Sequence, residues 1–120
     1  MQRTFRLMAW VLMACLVAAP AAVLAHHGWG SYDASKLITV EGPIETSNYG
    51  NPHATITVKA PQKVWTVTLA PVSRLQARGA PAAFVAVGKV VKAQGYASKA
   101  DPNEMRAERI TVDGKTVEMR

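Results

Sequence analysis

The sequence predicts an all-β domain with one short helix, folded as a small OB-like barrel of about five to six strands. Three observations lead there. From Lys36 onward, β-branched residues come in short alternating runs separated by Gly, Pro and Asn. A single stretch, Pro71 to Arg78, replaces that alternation with helix signals. The order is a bent strand, a hairpin, the helix, one more strand region and a closing hairpin, which is the order of an OB barrel. A small β-sandwich is the alternative, although it usually needs about seven strands.

Each element has its own justification. Lys36 to Thr46 places Ile38, Val40 and, beyond a break, Ile44 on one face, with Gly42-Pro43 between them. Proline inside a strand demands an edge or a bulge, and glycine beside it lets the backbone bend, so a long strand curved at Gly42 is expected. Turn formers fill Asn48 to Pro52. Ala54, Ile56 and Val58 then alternate with Thr55, Thr57 and Lys59, and Trp65, Val67 and Leu69 with Thr66 and Thr68. Ala60-Pro61-Gln62-Lys63 joins these two strands as a hairpin, and Trp65 is expected in the core, where an indole supplies much apolar area.

Pro71 can open a helix and Gly79 can end it in a left-handed conformation. Arg74 and Arg78 lie four apart and share a helix face; a solvated face is the ordinary reading and an anion site the rarer one. Phe84 to Gln94 reads as the fourth strand region, closing at Gly95. Ser98 to Glu104 is a polar loop around the turn Asp101-Pro102-Asn103. Met105 to Val112 and Thr116 to Met119 form the last hairpin across Asp113-Gly114.

Residues 1–25 read as a signal peptide. Arg3 and Arg6 precede an uncharged apolar run from Leu7 to Val17, and Val23-Leu24-Ala25 suits a signal peptidase. The run is broken at Pro20 and falls short of the roughly 18 to 20 apolar residues of a membrane span. Cleavage after Ala25 gives a periplasmic or otherwise exported chain, with residues 26–35 as a leader and 36–120 as the barrel. Of the 14 Lys and Arg the signal carries off two, leaving an excess of four over the eight acidic residues. The only cysteine, Cys15, goes with it, so the mature domain has no thiol for a disulfide, a thiolate metal site or nucleophilic catalysis. Leu12-Met13-Ala14-Cys15 is similar to a lipoprotein signal, with Met13 a poor fit. Membrane attachment would follow only from lipidation of Cys15 or from an uncleaved signal.

Concentrated chemistry is confined to the three histidines. With His26 first, its α-amine, of reference pKa about 7.7 to 8.0, and its imidazole, of about 6.5, can chelate one ion without a scaffold. His27 and His53 can add imidazoles. Nitrogen-rich ligation suits Cu(II) best, Cu(I) also being possible, and nickel or zinc less well. Met105 and Met119 could assist Cu(I), although filling a core is the commoner use of methionine. Asp33 could orient a histidine or cap a turn. Against a metal site stands the plain alternative of a tolerated flexible terminus, with His53 only holding a loop. The leader must run back along strand one to bring His26 to His53, and its ten residues reach about 33 Å when extended. Glu41 and Glu45 read as edge charges, Ser31 and Ser47 lack a positioned base, and no phosphate loop or nucleophile elbow is present.

Ala25-His26-His27-Gly28, Asn51-Pro52-His53, Trp65 and Leu75-x-x-x-Gly79 resemble, taken together, a family of small exported bacterial proteins of unknown function. Mature chains of that family open on His-His and carry Asn-Pro-His further on, and Trp29 matches the aromatic they commonly place soon after the histidines. The resemblance covers nearly the whole mature chain. It implies an exported small β domain and no particular activity.

Three functions are expected in order. The first is a non-enzymatic periplasmic metal-binding module that sequesters or transfers copper through His26, His27 and His53. The second is a metal-free OB-like module binding an envelope ligand or protein partner through the face around Tyr49, Trp65 and Tyr96. The third is a histidine-brace copper oxidoreductase. Nucleic acid is not expected as a partner, because export separates the chain from it and the net charge is modest.

Overall fold

The computed structural model describes residues 28–120. The expected signal segment, Cys15 and the pair His26-His27 lie outside the described residues. Six strands follow one another as β1 (Ile38–Asn48), β2 (Thr55–Lys59), β3 (Val64–Thr68), β4 (Val90–Ala97), β5 (Glu104–Val112) and β6 (Lys115–Glu118). The helix α1 (Val72–Ala77) stands between β3 and β4, and 3-10 turns occupy Trp29–Ser31 and Ala82–Val85. Among the described residues no helix is long and apolar enough to cross a membrane.

The sheet closes on itself. β1 is antiparallel to both β2 and β4, β5 is antiparallel to β4, and β3 runs parallel to β5 to complete the ring. β6 adds to the outer edge of β5. This is the predicted OB-like barrel of five strands, with one strand appended.

Closure depends on the bend read from Gly42-Pro43. Ile38 to Pro43 pairs with β4 and Ile44 to Asn48 with β2, so β1 changes partner at that point. The backbone of Gly42 lies against the Lys59 carbonyl, where a Cβ would collide. Glu45 is skipped in the register with β2, a bulge that adds local twist. Ile38, Val40 and Ile44 keep one face across the corner; Val40 and Ile44 are buried and Ile38 half-buried. Glu41 and Glu45 are exposed, as edge charges should be.

α1 ends as its sequence requires. Gly79 takes φ 77°, its N–H donates to the Gln76 carbonyl and that of Ala80 to the Leu75 carbonyl, the paired bonds of a Schellman cap. Leu75 is fully buried in the hydrophobic core. Both arginines are exposed, as a solvated face requires, and they also bond to the chain. Arg74 donates to the Met119 carbonyl, and Arg78 to those of Glu118 and Arg120, so the helix binds the carbonyls of the last residues.

The fourth strand is shorter at its start than Phe84 to Gln94 suggested. Phe84 N–H donates to the Pro81 carbonyl, which winds 82–85 into a 3-10 turn, and Gly88 at φ 91° interrupts any extended run. At its other end β4 continues through Gly95 to Ala97. Gly95 is no terminator: its missing side chain leaves room for the Arg106 carbonyl. Beside it β5 carries a bulge at Glu108, which moves the buried set from Met105 and Ala107 to Ile110 and Val112. The last hairpin is as read, with Asp113 and Gly114 both at positive φ.

The core unites Ile44, Ile56, Val58, Val67, Leu69, Leu75, Met105, Ile110 and Met119, each at most 2% exposed. Full burial of such a side chain is worth roughly 1.5 to 3 kcal/mol. Met105 and Met119 are thus core residues, which removes them from any Cu(I) site. Trp65 is only half-buried and packs on the rim of the core.

Candidate functional site

Strand alternation builds the site on the outer face of the barrel. Ala54 just before β2 and Ile56 on it point inward, as do Val67 on β3 and Leu69 just after it and Met105 and Ala107 on β5, which turns Thr55, Thr68, Glu104 and Arg106 outward. Thr55 is opposite Thr68, Thr68 opposite Arg106, and Arg106 opposite Tyr96. These four form one row across β2, β3, β5 and β4. The parallel pairing of β3 with β5 is what joins the two halves of the row.

The leader crosses that row. Asp33 N–H donates to the Ala97 carbonyl, and Lys99 N–H to that of Ser31. Tyr32 bridges to Ser98 and is nearly buried. Its hydroxyl donates to Glu104 Oε1 at 2.6 Å, and Thr68 Oγ1 donates to the same oxygen at 3.1 Å. Trp29 stacks between two guanidinium groups, those of Arg106 and Arg120, each 4.2 Å from its ring centroid, and meets Tyr96 edge-on at 6.2 Å.

Under the leader lies a pocket of about 340 Å³, lined by Tyr32, Pro52, His53, Thr55, Thr68, Glu104 and Arg106. Burial, then the hydrogen bond to Glu104 and its negative charge, push the Tyr32 phenol up to about 12. It therefore remains a donor at neutral pH. Burial also lowers the Arg106 guanidinium, with Arg120 and Arg74 adding repulsion and Tyr32 opposing it. An imidazole, a carboxylate, a neutral phenol and a cation thus face one small volume.

The predicted residues are distributed unevenly around it. His53 lines the pocket, half-buried, and its Nδ1 is shielded from solvent, directly after the cis Asn51–Pro52 peptide. Trp29 packs on the Arg106 wall. Asp33 is exposed and receives both the amide and the hydroxyl of Ser35, bonds that hold its carboxyl below the usual range, so it caps a turn. Tyr96 touches Trp29, Tyr49 donates to the Ala80 carbonyl at 2.6 Å, and Trp65 sits under Lys63 Nζ, 3.8 Å from its ring. The three aromatics contact different parts of the fold. Among the described residues no three His, Cys, Asp or Glu side chains gather as a metal cluster.

The site expected from sequence lacks Tyr32, Thr68, Glu104 and Arg106. One signal for two of them is present: Glu104 and Arg106 are two apart at the mouth of a predicted strand, opposite in phase to Met105 and Ala107.

Residues 12–106 match the model of a family described as a family of unknown function (DUF6152). No curated protein matches the chain. Among solved structures, the chain is similar to the ZRD-deleted mutant of TiaS in complex with agmatine. That likeness has 14% identity and a TM-score of 0.52, covering 72% of this chain and 27% of that one. A complex of TiaS with an isoleucine tRNA and ATP gives 17% identity and a TM-score of 0.48, covering 73% of this chain and 19% of that one. At 14% identity the likeness to the agmatine complex is one of fold.

Proposed function

As the chain belongs to the family of unknown function (DUF6152), we propose that it is an exported metal-binding module that takes copper at the pocket holding His53, with His26 and His27 as the other nitrogen donors. One observation carries this reading: Tyr32 of the leader and His53 of the β1–β2 connection line the same pocket. The leader is not a tail leaving the barrel. It is hydrogen-bonded to Ala97 at the end of β4 and to Lys99 beyond it, and its Tyr32 lines the pocket with His53.

Chain connectivity adds support. Trp29 rests against Arg106, which is itself part of the pocket wall. His26 lies two residues before Gly28, a span of at most about 7 Å. Cleavage after Ala25 would free an amine there that loses its proton readily to a metal near neutral pH. Binding in this form sequesters or hands on the ion and requires no catalytic group.

The test is a Cu(II) titration of the exported protein after its N-terminus has been sequenced. A chain beginning at His26 should bind one equivalent, and His26→Ala and His53→Ala should each weaken binding by about 10-fold or more. Equal affinity in both variants and the parent, or a lipidated Cys15 as the first residue, would sink the reading.

A second reading rests on the other end of the barrel. Ala60, Pro61, Gln62, Lys63 and Trp65 line an open pocket of about 450 Å³, where an indole rim and an ammonium could hold an envelope ligand. Retained partner binding by a chain with all three histidines replaced would favour it.

A further inference from the structure

We propose that the side of the domain made by α1, β6 and the adjoining stretch of β5 is a docking surface for an acidic phospholipid membrane, held by the phosphate headgroups. The contact is peripheral. It needs neither lipidation nor an uncleaved signal, and it is independent of the copper reading.

The first argument is where the charge lies. Every arginine of the described residues, Arg74, Arg78, Arg106, Arg109 and Arg120, belongs to this side, and Lys115 joins them. Bonds tie the six into one patch. Arg74 and Arg78 reach the carbonyls of Met119, Glu118 and Arg120, Lys115 reaches that of Gly79, and Trp29 lies between Arg106 and Arg120. Arg109 pairs with Glu118 and Arg120 with Glu108. With Glu104 counted at the border, six cations face three carboxylates, while elsewhere in the described domain six lysines meet five acidic residues. Three of its four excess positive charges are therefore on this side. Burial, and then repulsion from Arg120 and Arg74, lower the Arg106 guanidinium, as expected where cations crowd together. Arg74, Arg78, Lys115 and Arg120 are exposed and make the contact; buried Arg106 adds charge behind them.

The second argument selects the partner. Arginine suits phosphate because its fork of donors takes two oxygens at once. Arg74 and Arg78 use Nη1 for their bonds to the chain, out of the five N–H donors each carries. Single-stranded nucleic acid wants an open aromatic ring for its bases. Here both faces of Trp29 are covered by guanidinium groups, and Tyr96 meets its edge. The exposed large apolar side chains, Leu37, Val64, Val87 and Val90, are not on α1, β5 or β6, so the surface meets headgroups without inserting. Connectivity supplies the place. The chain joins the patch at Trp29, twelve residues after the apolar run that ends at Val17. While that run is held at the membrane, this is the side from which the chain reaches it, a step that rests on the export reading above.

The processed exported protein should co-sediment at low salt with vesicles containing about one-third phosphatidylglycerol, and not with pure phosphatidylcholine. Raising salt to about 0.5 M should weaken binding by more than about 10-fold. Arg78→Gln and Lys115→Gln should each weaken it by about 5-fold, the worth of one basic side chain near an acidic surface. Lys115→Arg keeps the charge and should stay within about 2-fold of the parent, as should Lys59→Gln, which removes the same charge from outside the patch. Equal binding to pure phosphatidylcholine, or equal losses in Lys59→Gln and Lys115→Gln, would overturn the surface. Displacement by millimolar inorganic phosphate where equal chloride has no effect would mean a discrete phosphate site and overturn it too. So would tighter binding to single-stranded DNA than to the vesicles at the same salt. Vesicle binding of the expected pattern in a chain whose copper affinity does not depend on His26 supports the surface and fails the copper reading instead.

Discussion

The phenol of Tyr32 donates to Glu104 Oε1 at 2.6 Å across 72 residues of sequence, fastening the leader to the first residue of β5. A hydrogen bond to a charged acceptor contributes roughly 1.5 to 3 kcal/mol, so Tyr32→Phe should lower unfolding free energy by about that amount near neutral pH. The phenol's pKa is raised by burial and by Glu104 to about 12, against 10.0 for the free side chain. A raised folded-state value stabilises below the unfolded pKa and ceases to do so as pH climbs through the folded one. Denaturant titrations should show the parent losing stability between pH 10 and 12, with the Phe variant flatter over that range.

Trp29 should anchor the leader rather than the barrel. Two guanidinium contacts at 4.2 Å, one to the largely buried Arg106, give an expected loss of about 1 to 3 kcal/mol for Trp29→Ala. The amides to follow are those of Asp33 and Lys99, bonded to Ala97 and Ser31. Their hydrogen exchange should accelerate while that of Ile56 and Val67 in the hairpin holds. Uniform acceleration throughout would mean the stack supports the whole fold.

Gly95 and Gly30 make a matched pair. A methyl group at Gly95 would meet the Arg106 carbonyl and the Cα of Ala107, both backbone atoms, whereas at Gly30 it meets open space. Gly95→Ala should therefore cost roughly 2 to 3 kcal/mol, in the range of an overpacked core, and displace Arg106 from the pocket wall. Gly30→Ala should be within about 0.5 kcal/mol of the parent. Urea unfolding of both decides it.

Local chemistry explains what could be read from the sequence. Gly42-Pro43, Asp113-Gly114 and Pro71 with Gly79 each impose a backbone geometry on their own few residues, and each forms the predicted bend, turn or helix. Phe84 and Val85 mislead for the opposite reason. Their side chains suit a strand, but Pro81 and Gly88 set the backbone on either side. His53 is visible because Asn-Pro-His stands out as a string. Thr68 and Arg106 are not, since their adjacency arises from the parallel β3–β5 pairing, and no local signal specifies a register across that distance. Tyr32 joins them only once the leader has docked.

The helix arginines show how an ordinary surface pattern can hide a structural role. Arg78 Nη1 donates to the carbonyls of Glu118 and Arg120, and Lys115 Nζ returns a bond to that of Gly79, so α1 and β6 are tied in both directions. The Glu118 and Gly79 partners are peptide carbonyl dipoles. Arg78→Met should cost about 1 kcal/mol, and adding Lys115→Met should cost more than the sum if the two act on one joint. Salt separates this from ion pairing. The exposed Lys89–Asp113 pair should contribute little and less still at about 1 M salt. The Arg78 effect should persist there, because short contacts to a fixed carbonyl are screened less than a pair of mobile surface charges. Thermal unfolding of the single and double variants at low and high salt measures both. Loss of the Arg78 effect in salt would assign it to long-range charge and not to the carbonyl contacts.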